Sequence, residues 1–139
     1  MTENIYATAI CIEGKAILLI GESGSGKSDL ALRLIMNKNA VLIADDRVDV
    51  NNMNGVLKAS CPQNIQGLLE VRGVGICKMP FAAEADVKMA VRLVAAETEI
   101  ERIPEKETIV ICGIKVPVIN VHPFEISATD KIIIACGNI

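Results

Sequence analysis

The chain has 139 residues, a net charge of −3, and 51% hydrophobic against 22% charged residues. Such a chain buries about two-thirds of its unfolded surface, which suits one packed α/β-sized domain and excludes disorder. Its acidic balance and 2% aromatic content exclude a nucleic-acid surface, and no apolar run approaches the ~20 residues of a membrane span.

In chain order, residues 5–12 and 16–20 read as two strands with a turn at Glu13-Gly14. The second runs into Gly21-Glu22-Ser23-Gly24-Ser25-Gly26-Lys27-Ser28, after which Leu30, Ala31, Leu34 and Ile35 recur at helical spacing and predict a helix to about Asn37. Residues 41–44 form a short buried strand ending in Asp45-Asp46, and Asn51-Asn52-Met53-Asn54-Gly55 is a turn cluster. A short helix is expected over 62–69, with Ser60 as N-cap and Pro62 in its first turn. Residues 86–94 alternate, Val87, Met89, Val91 and Leu93 on one side against Asp86, Lys88 and Arg92, as in a half-exposed strand. Two further strands, 108–112 and 114–121, turn near Gly113. Ser127 and Asp130 suit the start of a last helix, although Ile132-Ile133-Ile134 suits a strand equally. Cys11, Cys61, Cys77, Cys112 and Cys136 form no Cys-x-x-Cys pair and read as small hydrophobes of a reducing cytosol. With no basic-then-apolar signal pattern at the N-terminus, a cytoplasmic location is expected.

Residues 21–28 have the spacing of a P-loop, and strand, glycine loop and helix follow in the required order. Glycines allow the backbone to approach an anion closely, and the loop N–H groups point inward at the positive end of the next helix. Lys27 is placed for the β- and γ-phosphates of a nucleotide and Ser28 for Mg²⁺. The alternative is a glycine-rich turn before an ordinary helix; chance yields the full pattern in roughly one chain of this length in 200, which disfavours it.

Nucleotide binding alone does no chemistry. Asp45-Asp46 at a strand end offers one carboxylate for a metal-water network and one to accept a hydroxyl proton, unless the pair is merely an acidic turn facing solvent. Leu69-Glu70-Val71-Arg72-Gly73-Val74-Gly75-Ile76 adds an Arg-Gly-x-Gly loop, weak by itself. Together, the P-loop, Ile43-Ala44-Asp45-Asp46-Arg47-Val48-Asp49 and Glu70-Val71-Arg72-Gly73-Val74-Gly75-Ile76 make the chain resemble the HPr kinase/phosphorylase family. Ile100-Glu101-Arg102-Ile103 fits a fourth, looser block.

The resemblance implies a strand-rich α/β P-loop kinase-like fold, related to phosphoenolpyruvate carboxykinase, with residues 1–139 as a single catalytic domain. It also implies an ATP- and Mg²⁺-dependent kinase for a serine of the phosphocarrier HPr, reversible with phosphate in many members, assembled as hexamers. Carried over by position, Lys27 contacts the transferred phosphoryl group, Ser28 and Glu70 bind Mg²⁺, and Arg102 faces phosphate. Asp46 is the general base with Asp45 beside it, and Val71, Arg72, Gly73, Val74, Gly75 and Ile76 face phosphate or HPr. The chain resembles the short, single-domain forms and departs from the family pattern twice. Tyr6 stands where an active-site histidine is usual, and residues 121–128 lack a Gly-Arg-Asn segment linked to the reverse reaction. His122, the single histidine, is expected to be structural or solvated. The residues leave open a P-loop kinase for another substrate, or a nucleotide-sensing module with little turnover.

Overall fold

The computed structural model describes residues 2–62 and 64–138. Its strands are β1 (Thr2–Tyr6), β2 (Thr8–Ile12), β3 (Lys15–Ile20), β4 (Val41–Ala44), β5 (Arg47–Met53), β6 (Val56–Ser60), β7 (Leu68–Val71), β8 (Gly75–Lys78), β9 (Glu84–Leu93), β10 (Glu107–Ile111) and β11 (Ile114–Val121). Its helices are α1 (Lys27–Asn37) and α2 (Ala128–Asn138).

The architecture turns on β9. One edge of β9 runs parallel to β3 from Asp86 to Arg92. Its other edge is shared: the start pairs antiparallel with β6, and residues 90–93 pair parallel with β11. The main sheet therefore branches, one arm continuing through β6, β5 and β1, the other through β11 and β10, while β2 and β4 extend it beyond β3. Because β3, β9 and β11 are mutually parallel, their C-terminal ends open at one edge, the edge at which such sheets place ligands.

Alternation along the central strands separates two apolar layers. Ile10, Ile12, Ile17, Leu19, Met89 and Val91 face Leu30, Leu34 and Ile35 of α1 and Ile132 and Cys136 of α2. Ala9, Cys11, Ala16, Leu18 and Ala90 face the other way, under Val48, Val50 and Leu57 of one arm and Val116 and Val118 of the other. The arms meet where Asn52 donates a 2.9 Å hydrogen bond to the Cys112 carbonyl. Burying aliphatic side chains on both faces is worth about 1.5–3 kcal/mol each, so a core almost without aromatic rings suffices. All five cysteines are free, and burial pushes the Cys11, Cys61 and Cys112 thiols up, as inert packing residues require.

Several expectations are corrected. The single strand over 5–12 is two strands, broken at Ala7, whose N–H turns aside to the Asp46 carbonyl; β1 pairs with β5, whereas β2 pairs with β3 and β4. The helix over 62–69 does not form. Gln63 lies outside the described residues, but Asn64 (φ 81°) and Gly67 (φ 75°) are left-handed, which an α-helix does not admit, and Leu68 already begins β7. The turn cluster over 51–55 contracts to Asn54-Gly55, both at positive φ, the hairpin dipeptide joining β5 to β6. The β9 alternation slips: the register with β3 shifts so that Val87 opposes Ala16 and Met89 opposes Ile17. This bulge at Lys88 puts Val87 in the second layer and Met89, Val91 and Leu93 in the first. The last segment is a helix, since Ile132 is buried while Ile134 is exposed on its opposite face.

Candidate functional site

A cavity of about 360 Å³ opens at the C-terminal edge of the parallel strands, lined by the glycine loop, the start of α1, Tyr6, Thr8, Asp46, the β7–β8 hairpin and the segment after β11. The loop builds its floor. Gly24 and Gly26 adopt positive φ (79° and 103°), and Ser25 N–H returns to the Glu22 carbonyl at 3.0 Å. Gly26 stands at the helix N-cap with no side-chain cap, so the first N–H groups of α1 are available to an anion. Ser25 Oγ is buried in this loop without a hydrogen-bond partner among the described residues.

Lys27 is buried, donates to the Gly21 and Glu22 carbonyls (2.8 and 3.0 Å), and holds its ammonium 4.2 Å from the Tyr6 ring centroid. Tyr6 is in register with Arg47, whose guanidinium lies 5.4 Å from the same ring. A cation–π contact is worth about 0.5–1 kcal/mol at an exposed site, as for Arg47, and about 2 kcal/mol where the cation is desolvated, the side towards which the buried Lys27 lies. The β1–β5 pairing thus delivers the aromatic ring to the lysine.

Adjacent in sequence, Asp45 and Asp46 are separated in space. Asp45 Oδ1 accepts from Ser28 Oγ (2.7 Å) and Thr8 Oγ1 (3.0 Å), and Oδ2 accepts from the Glu70 N–H (3.2 Å). One carboxylate therefore ties the glycine loop, the β2 strand and the hairpin signature together. Asp46, at φ 68°, is the centre of a three-residue turn closed by the 2.7 Å bond from Arg47 N–H to the Asp45 carbonyl. That strained turn leaves its carboxylate unbonded among the described side chains and lining the cavity.

Glu70, Val71 and Arg72 also line the cavity; Gly73, Val74, Gly75 and Ile76 form the exposed tip of the hairpin. Arg102 is elsewhere, exposed on the 94–106 loop and absent from the lining. His122 donates from Nε2 to the Thr98 carbonyl at 2.6 Å, a structural tie between loops. Among the acidic residues away from the cavity, Asp86 pairs with Lys58 and Glu107 with Arg92, while Glu97, Glu99, Glu101 and Glu105 are exposed. The 79–81 segment packs: the Pro80 carbonyl accepts from Leu42 N–H, and Phe81 lies against Gly67.

Sequence reasoning missed Thr8 and Phe124. Thr8 is the polar residue opening an otherwise apolar buried strand, a signal legible only once Asp45 is known to lie 3.0 Å away. Phe124 was legible in principle, as one of three aromatic residues in the chain.

The donor set fits a nucleotide with Mg²⁺. Ser28 Oγ beside Asp45, with Glu70 near, provides the few protein oxygens that Mg²⁺ accepts when phosphates and water supply the rest. No cluster of three or more His, Cys, Asp or Glu is found among the described residues.

Residues 1–136 match the family model for the HPr Serine kinase C-terminal domain. An HPr kinase/phosphorylase of Bordetella pertussis is 36% identical over 113 residues, 74% of this chain and 36% of that protein. One of Clostridium acetobutylicum is 45% identical over 77 residues, 55% of this chain and 25% of that protein. The solved HPr(Ser) kinase/phosphatase of Coxiella burnetii superimposes with a TM-score of 0.84 at 26% identity, covering 98% of this chain and 90% of that one. The chain spans about a third or less of the curated relatives it matches. In sequence and in fold, this chain belongs to the HPr Serine kinase C-terminal domain family.

Proposed function

We propose that residues 1–139 form a single catalytic domain that uses ATP and Mg²⁺ to phosphorylate a serine of HPr. The observation that carries it is the Asp45 junction, which brings Ser28, Glu70 and the cavity-facing Asp46 to one phosphate-binding loop. Bound Mg²⁺ would neutralise charge on the transferred phosphoryl group, held by Ser28 and Asp45 with Glu70 as a further ligand. Lys27 exchanges its carbonyl partners for the terminal phosphates. Asp46 orients the incoming serine hydroxyl and takes its proton. Arg72 faces the cavity mouth to meet phosphate or carrier, and Arg102 joins when the 94–106 loop closes or another subunit of a hexamer supplies it. The protein acts in the cytoplasm, as its substrate requires.

The reverse reaction is expected to be slow. Residues 121–128 contain no Arg or Lys, so two anions would converge with little added cationic help, and Tyr6 offers no imidazolium. Release of HPr from its phosphoserine form at high phosphate, as fast as the forward rate, would contradict this bias.

A second reading is a nucleotide-sensing module with little turnover; the placement of Arg102 outside the cavity favours it. One assay separates the two. Incubation with an HPr-type carrier and Mg-ATP should yield phosphoserine by mass spectrometry. Nucleotide binding without phosphoserine would establish the sensor.

A further inference from the structure

Two of the chain's three aromatic residues line the same cavity, at different places. Tyr6 marks the terminal-phosphate end, because Lys27 Nζ sits over its ring. Phe124 lies against Gly26: a Cβ at Gly26 would stand 2.8 Å from its Cζ. The first turns of α1 add Asp29 and Leu32 to the lining, and Arg33 links Asp29 to the Pro123 carbonyl next to Phe124.

An exposed phenylalanine is usually mobile, but this one stands on a braced segment. Arg33 donates to the Pro123 carbonyl and pairs with Asp29 at 3.1 Å. His122 is tied to the Thr98 carbonyl, and Glu125 accepts from Lys131 at 3.0 Å, which holds its carboxyl below the usual range. Yet the ring is 70% exposed. The fold thus spends several polar contacts on holding an apolar ring in water at the cavity mouth.

We propose that Phe124 is the stacking platform for the nucleobase, so that the cavity selects nucleoside polyphosphates over bare polyphosphates without reading which purine is present. The proposal rests on the nucleotide reading of the cavity. With the terminal phosphates at Lys27 and the chain of phosphates crossing the α1 N-terminus, the base leaves on the side of Gly26 and Asp29, where Phe124 stands. Every base has a π-face. The polar side chain at that end, Asp29, is already engaged by Arg33, which leaves stacking rather than edge recognition.

Calorimetric titration of the whole chain with Mg-ATP, Mg-GTP and Mg-tripolyphosphate tests this. The native protein should bind ATP and GTP within about threefold of each other. Base–aromatic stacking is worth about 1–3 kcal/mol, so Phe124→Ala should weaken both by about 5–150-fold and leave tripolyphosphate unchanged, and Phe124→Trp should restore nucleotide affinity. Unchanged ATP affinity in Phe124→Ala overturns the proposal, as does an equal loss for tripolyphosphate, which would mean that the ring only shapes the loop. A native protein that binds tripolyphosphate no worse than ATP overturns the platform but keeps the phosphate cradle. Failure to bind any of the three overturns the nucleotide reading itself, and the platform with it.

Discussion

The glycine loop with α1 and the β7–β8 hairpin meet at one cavity but are built in opposite ways. The loop leads into a helix whose Leu30, Ala31 and Leu34 are fully buried, and its lysine is enclosed. The hairpin forms its own two-stranded sheet, contributes one fully buried side chain, Leu69, and exposes Val74 at 75% and Ile76 at 64%. One bond from Glu70 N–H to Asp45 joins it to the acidic pair. A small anion needs rigid donors held within a fraction of an ångström; a folded protein partner needs a projecting surface with apolar contacts. Under the proposed function, the two halves divide recognition between nucleotide and carrier.

Substitutions sharpen this division, starting with the largest effect. Asp46→Asn removes a positioned base worth about 10²–10⁴ in rate; turnover at saturating HPr should collapse while calorimetric nucleotide affinity persists. Near-native turnover would place the base elsewhere. Lys27→Ala removes charge-assisted bonds worth about 1.5–3 kcal/mol, so Mg-ATP affinity should fall about 10–150-fold. Unchanged affinity would break the assignment of the rigid half.

Asp45→Asn turns an acceptor towards the Glu70 N–H into a donor in one orientation and removes the junction's charge. Its effect should fall on Mg-nucleotide affinity more than on turnover at saturation, the reverse of Asp46→Asn. A pair of variants with identical profiles would show that the three-residue turn does not separate the two roles. On the hairpin, Val74→Asp with Ile76→Asp should reduce affinity for HPr about tenfold, since burying apolar anchors typically contributes more than 1 kcal/mol. Nucleotide affinity and Tm should not move. A fall in nucleotide affinity would mean that the hairpin is part of the cradle rather than a separate surface.

The smallest effect serves as a baseline away from both halves. The Lys58 ammonium beside Asp86 holds that carboxyl below its ordinary 3.8, and Asp86 in turn pushes Lys58 above 10.5. The carboxylate's contribution is fully present above pH 3.8 and is lost as pH falls through its lowered value. The ammonium's contribution is present below pH 10.5 and is lost as pH rises through its raised value. Asp86→Asn should flatten both limbs of Tm against pH slightly, without altering nucleotide or HPr binding.

The primary sequence by itself determined the elements whose signals are local. The glycine spacing of 21–28, the helical recurrence of Leu30, Leu34 and Ile35, and the Gly113 turn all depend on residues within a few positions of one another, and they appear in the structure where expected. The acidic pair was equally legible as a pair. What tertiary structure alone decided was which partner each segment would meet. Val48 and Val50 alternate with Arg47, Asp49 and Asn51, a strand pattern obscured by a cluster of asparagines until β1 and β6 pair on either side. The bulge at Lys88 exists because β9 must match β3, and no local preference announces it. The division between Asp45 and Asp46 comes from Ser28, Thr8 and Glu70, up to 37 positions away along the chain. Side-chain roles at a site depend on distances across strands, and loop-closure entropy lets distant residues meet at a cost that grows only slowly with separation. Hence residue types and spacing pointed to a phosphate-binding loop, and the packing of sheet against loop determined which carboxylate bonds to that loop and which faces the cavity.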